Sequence, residues 1–154
     1  MKIIKRDYYL NEIKELIGTP DIKVIVGVRR SGKSKLLEAF IDMILEEDPD
    51  ANIIHINYNV TDYEDIREYH ALEKYIEERY IPGAANYLLI DEIQMCTSFE
   101  LAINSLHAKE KFDIYVTGSN AFLNSSDLAT LFVGRTYEIQ IYPFSFQEYL
   151  LYYP

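Results

Sequence analysis

Two short stretches of this chain carry side chains able to handle a phosphate group. In Gly27-Val28-Arg29-Arg30-Ser31-Gly32-Lys33-Ser34 the spacing is G-x-x-x-x-G-K-S, and in "YLLIDE" an apolar run closes on Asp91 and Glu92. The glycines of the first stretch allow backbone N–H groups to turn inward around phosphate oxygens, and a helix starting at its end adds the positive end of its dipole. The phosphate-binding set is then Gly27, Arg30, Ser31, Gly32, Lys33, Ser34 and Lys35. Lys33 reaches the β- and γ-phosphates, and the Ser34 hydroxyl is a ligand for Mg²⁺. Arg29 and Arg30 have no fixed direction from sequence, so a phosphate contact and a solvated rim position both stand.

Such a loop does not by itself separate a kinase, a GTPase and an ATPase. The acid pair does more. Asp91 ends an apolar strand where a parallel sheet opens its ligand crevice, which suits a Mg²⁺ ligand, and the adjacent Glu92 suits polarisation of a water for attack on the γ-phosphate. Gln94 follows on the same turn. The next strand ends "VTGSN", offering Thr117, Ser119 and Asn120 between the phosphate loop and Glu92; Asn120 is the favoured sensor of the γ-phosphate, with Ser119 close behind. Arg135, before the last strand, is the candidate arginine finger, acting in cis or toward a neighbouring subunit, with a surface ion pair as its alternative. No N-K-x-D guanine signature is present, which leans toward adenine.

These residues need elements to hold them, and the hydrophobic pattern supplies a regular alternation. "DYYLNEIKELIG" has a helical apolar face, with Asp7 as N-cap and Gly18 as the stop. "IKVIVGV" reads as a strand, "KSKLLEAFIDMILEE" as a helix ended by "DPD", and "NIIHINY" as a strand. A helix follows from about Ile66 to Tyr80, closed by Pro82-Gly83. After "NYLLIDE" come a helix through Phe99, Ala102, Ile103 and Leu106, the strand "FDIYVTGSN" and the strand "RTYEIQIY". Near-continuous apolar strands separated by helices predict a parallel sheet covered on both faces, a three-layer α/β/α sandwich.

Composition narrows the partners. The 154 residues carry a formal charge of −10, which opposes sequence-independent binding of nucleic acid by the whole surface. The 14 tyrosines and 7 phenylalanines lie at core-like spacings without interleaved basic residues, so they read as packing. No apolar run reaches the length of a membrane span and the start meets charges too early for a secretory signal, so a cytoplasmic protein is expected. The histidines lack partners at metal-ligand spacing, so no zinc site is expected. Cys96, the one cysteine, reads as a buried thiol.

Taken together, "VGVRRSGKSKLL", "YLLIDEIQ", "DIYVTGSNAFL", "LATLFVGR" and "YPFSFQEYL" resemble a family of bacterial and archaeal P-loop ATPases of the AAA+/STAND-like kind. The similarity runs from Arg6 to Leu150. It implies an additional-strand-catalytic-glutamate core with five mainly parallel strands in the order 5-1-4-3-2, ATP and Mg²⁺ as ligands, and Lys33, Ser34, Asp91 and Glu92 in the roles argued above. The family usually continues past the "SFxEYL" element and related ATPases carry a helical lid, so residues 1–154 are expected to be one N-terminal ATPase domain without either. The expected function is ATP binding with Mg²⁺-dependent hydrolysis that drives a protein partner, a second copy or a C-terminal region. The alternative is a nucleotide-dependent switch or interaction module with negligible turnover.

Overall fold

A central strand, β1 (Ile22–Gly27), is buried along its whole length, as its run of β-branched residues requires. It lies between β4 (Asp113–Ser119) and β5 (Thr136–Ile141), and beyond β4 come β3 (Asn86–Asp91) and β2 (Asn52–Asn57). The sheet order is β2-β3-β4-β1-β5, and every pairing is parallel. This is the 5-1-4-3-2 order read from the other side. The computed structural model describes residues 7–28, 31–123, 130–132 and 136–142.

Alternate residues of each strand feed two cores. On one face Ile25, Leu89, Tyr115 and Ile139 pack with Ile13 of α1 (Asp7–Glu15) and with Leu37, Phe40 and Ile44 of α2 (Lys33–Glu47). On the other, Val24, Val26, Ile54, Ile56, Leu88 and Ile90 meet Leu72 and Ile76 of α3 (Tyr69–Glu77) and Ala102, Ile103 and Leu106 of α4 (Phe99–Ala108). The three layers expected from the apolar pattern are thus present. Edge strand β2 is less apolar, with Ile54 and Ile56 buried and His55 and Asn57 half-buried after each of them.

Two helix starts differ from the sequence reading. Asp7, expected as an N-cap, is already a residue of the first helical turn, where its charge still meets the positive dipole end. The third helix begins at Tyr69 and not near Ile66, because the preceding residues are held by other parts of the fold. Tyr58 Oη donates to the Ile66 carbonyl at 2.6 Å, the Thr97 amide donates to the Arg67 carbonyl at 2.8 Å, and the Glu68 carboxylate caps the helix by accepting from the Ala71 amide. Residues Thr61–Ile66 instead form a 3₁₀ segment. Gly18, at φ 80°, stops the chain after α1 as expected, and its amide donates to Asp113.

Parallel strands bring their carboxyl ends to one edge of the sheet. The register pairs Gly27 with Ser119, Ile90 with Val116 and Asn57 with Asp91. The phosphate-loop sequence, the acid pair and the "VTGSN" segment therefore arrive at the same edge.

Candidate functional site

The bend after β1 is compact by necessity. A Cβ on Gly27 would stand 2.6 Å from Ser31 Oγ and 2.7 Å from the Ile141 carbonyl oxygen, closer than real Cβ atoms come. Gly32 takes φ 93°, a left-handed value that favours glycine. The Ser31 amide donates to the Val28 carbonyl at 3.1 Å, closing the turn. Gly32 then precedes α2 without a side-chain cap, and the amides of the first helical turn have no intrahelical acceptors. A cavity of about 210 Å³ opens there, lined by Ser31, Gly32, Lys33, Ser34, Lys35, Asn59 and Glu92.

Lys33 is only 5% exposed. Its ammonium donates to the Gly27 carbonyl at 2.9 Å and the Val28 carbonyl at 3.2 Å, and Glu92 Oε1 lies 3.8 Å away. Burial lowers its pKa below the usual lysine value, and the charges of Glu92 and Asp91 only partly oppose this. Lys35, by contrast, is exposed and pairs with Glu38 at 3.2 Å.

Asp91 is buried and surrounded by donors. Ser34 Oγ at 3.3 Å and Thr117 Oγ1 at 3.0 Å both donate to its Oδ1, and His55 Nε2 lies 3.3 Å from Oδ2. A carboxylate only accepts, so this contact assigns the proton to Nε2 of His55. Thr117 also accepts from the Glu92 amide at 3.0 Å, tying the acid pair to β4 by one hydroxyl. Glu92 has a left-handed backbone, φ 57° and ψ 56°, and its side chain is 19% exposed. Gln94 Nε2 donates to Glu92 Oε2 at 2.5 Å.

The structure thus brings together Gly27, Ser31, Gly32, Lys33, Ser34, Asp91 and Glu92 around one cavity edge. Asn120 is exposed in the turn beyond β4, one residue past the partner of Gly27, and Ser119 is half-buried. Arg29, Arg30 and Arg135 lie outside the described residues. Two neighbours of the site were given no role from sequence, His55 on Asp91 and Asn59 in the cavity wall, while Thr117, offered with Ser119 and Asn120, is bonded to Asp91. His55 is legible only as a polar interruption of a strand, and its pairing with Asp91 spans 36 residues. Among the described residues no group of three or more histidine, cysteine and acid side chains is placed to hold a metal ion. No described helix is long and apolar enough to cross a membrane.

Comparisons with known proteins bear on the family and the fold. An uncharacterized protein of Haemophilus influenzae is 40% identical over 151 residues, covering 96% of this chain and 38% of its own length. MJ1544 of Methanocaldococcus jannaschii is 32% identical over 155 residues, covering 97% of this chain and 33% of its own. The chain therefore spans about a third of the length of the curated relatives it matches. Among solved structures, PCH-2 of C. elegans superposes with a TM-score of 0.61 at 12% identity, over 92% of this chain and 44% of that one. AMPPCP-bound DnaA of Aquifex aeolicus does so with a TM-score of 0.52 at 17% identity, over 92% and 47%. At such identities these two show the fold alone, a parallel sheet between two layers of helices. The family model described as an AAA domain matches residues 19–150, and the chain belongs to that family.

Proposed function

We propose that this chain binds ATP with Mg²⁺ and hydrolyses the terminal phosphoanhydride, its nucleotide state driving a partner protein, a further copy or a second domain. One observation carries the reading. The Ser34 hydroxyl at the start of α2 and the Asp91 carboxylate at the end of β3, 57 residues apart in sequence, meet at 3.3 Å beside the phosphate-loop cavity. A hydroxyl and a carboxylate converging at a helix N-terminus are the donor set of a hard divalent cation, so the residues present fit Mg²⁺. The bend that excludes any Cβ at Gly27, together with the unpartnered first-turn amides, fits a triphosphate in the same way.

In this mechanism Lys33 exchanges its two carbonyl acceptors for phosphate oxygens, and the loop amides hold the rest of the anion. Ser34 and Asp91 would hold the cation, with Thr117 and His55 keeping the carboxylate oriented. Bound Mg²⁺ supplies neutralisation of charge developing on the phosphates. Glu92, lining the cavity, accepts the proton of the attacking water. Asn120 reads the terminal phosphate, and Arg135 stabilises it from this subunit or from a neighbour.

The test is binding of ATP with and without Mg²⁺ by calorimetry. Lys33→Ala is expected to weaken Mg²⁺-dependent binding by about tenfold or more, the loss of one charge-assisted contact to phosphate; unchanged affinity would sink the reading. Glu92→Gln is expected to keep binding and lose about 10² or more in turnover.

A second reading, a nucleotide switch with negligible turnover, draws on Phe122. This side chain is exposed in the turn after β4, at the same sheet edge as the phosphate loop, where nucleotide state could be passed to a partner. A steady-state rate well above background removes that reading. A rate per chain that rises with protein concentration supports Arg135 acting between subunits, and a flat profile opposes it.

A further inference from the structure

Glu92 and Gln94 face each other across a tight left-handed turn, and their contact divides the two oxygens of the Glu92 carboxylate. Oε2 accepts from the Gln94 amide at 2.5 Å, while Oε1 lies 3.8 Å from Lys33 Nζ, on the phosphate-loop side. Because a carboxylate only accepts, the carboxamide has one permitted orientation, nitrogen toward Glu92 and carbonyl away from it. That orientation has a cost. Gln94 Oε1 is buried, and no donor among the described residues reaches it.

Gly118 makes the arrangement possible. A Cβ at that position of β4 would stand 2.9 Å from Gln94 Oε1 and 2.1 Å from Leu123 Cδ1. The "VTGSN" strand therefore leaves a gap that the Gln94 carbonyl and the Leu123 side chain fill. A glutamine serving only to fill space has no reason to leave its carbonyl unsatisfied; one aimed at Glu92 has.

We infer that Gln94 is a positioning residue for Glu92: its N–H tethers Oε2, leaving Oε1 as the atom that takes the proton of the attacking water, and Gly118 provides the room. This rests on the hydrolytic reading above. The tether acts on the rotation of the carboxylate, which matters because a general base must stand within hydrogen-bonding reach of the proton it removes.

The experiment measures steady-state kcat and the affinity for a non-hydrolysable ATP analogue with Mg²⁺ in Gln94→Met, which keeps length but removes the amide, and in Gln94→Glu, which keeps shape but replaces the donor by an acceptor. Both are expected to lower kcat by about 10- to 100-fold while affinity stays within about threefold, the split of a group that acts on the chemical step. A parallel measurement needs no nucleotide: urea midpoints of Gln94→Met, Glu92→Met and the double variant should be non-additive. Wild-type kcat in Gln94→Met, or equal losses of kcat and affinity, overturns the positioning role and leaves the hydrolytic reading standing. Additive midpoints overturn the contact itself. No turnover in the wild-type chain overturns the hydrolytic reading, and the positioning role falls with it.

Discussion

Two buried lysines, one at each end of strand β1, are held in opposite ways. At the amino end, Lys23 is fully buried, its ammonium 2.5 Å from Asp113 and bonded to the Thr19 carbonyl, with the Tyr115 ring 5.1 Å away. At the carboxyl end, Lys33 rests on two backbone carbonyls of its own loop, with its nearest carboxylate at 3.8 Å. Lys23 is locked: Asp113 is also held by the Gly18 amide and the Tyr115 hydroxyl, so moving any member strands the others. Lys33 is parked. Its acceptors are neutral, and an incoming anion can replace both without leaving a charge unpaired. A buried cation near a cavity is therefore a better functional signal when its partners are weak than when they are strong.

A hollow of about 430 Å³, lined by Gly18, Asn86, His107 and Asp113 among others, lies at the Lys23 end, whereas the proposed site is a hollow of about 210 Å³.

The sharpest way to break this comparison is to remove each ammonium. Lys23→Met leaves the Asp113 carboxylate buried without its cation and is expected to cost about 3 kcal/mol or more in unfolding free energy, read from urea denaturation. Lys33→Met removes a desolvated cation with no close ionic partner and is expected to change stability by less than about 1 kcal/mol while weakening nucleotide binding by about tenfold or more. Equal losses of stability would show that both lysines are structural.

A second substitution sharpens the contrast by striking the Lys33 anchor. In Gly27→Ala the new methyl meets Ser31 Oγ, which can rotate, and the Ile141 carbonyl, which belongs to the β5 backbone and cannot yield without disturbing the sheet. The expected cost is about 1–3 kcal/mol, with nucleotide affinity falling alongside it. Here stability and binding fail together, whereas in Lys33→Met they separate.

The two ends of β1 also differ in how far sequence alone reveals them. The phosphate loop is legible because its residues are contiguous and each type has a local reason: a glycine where Cβ does not fit, a glycine at positive φ, a hydroxyl at a helix start. Asp91 and Glu92 are legible for the same reason, as acids ending an apolar strand. The five strands follow from their apolar runs, while their order came through the resemblance and not through periodicity. What stayed hidden depends on pairs distant in sequence. The Lys23–Asp113 pair spans 90 residues and looks like one charge inside an apolar strand, and the His55 and Thr117 contacts to Asp91 need the sheet register before they can be seen. The late start of α3 is of this kind too, since Tyr58 and Thr97 hold the backbone that would otherwise have extended the helix.

The smallest expected effect concerns a third buried titratable group, Cys96, which lies in the core away from both lysines. Burial pushes its thiol up to about 11 from an ordinary value of 9.0. Between those two values the unfolded chain has lost the proton and the folded chain retains it, so the folded state binds more protons and stability falls as pH rises through this window. Lys33 has the opposite sign: its lowered pKa means that, just below the ordinary 10.5, the unfolded chain holds the proton that the folded chain has released, and stability rises with pH. Wild type should therefore lose stability relative to Cys96→Ala as pH is raised from 9.0 toward 11, and gain it relative to Lys33→Met as pH approaches 10.5. Urea midpoints at closely spaced alkaline pH values read both differences. A Lys33 difference that falls with pH would mean that its ammonium is stabilised by Glu92 and Asp91 more than burial disfavours it, so that its ionic partners and not its loop carbonyls hold it.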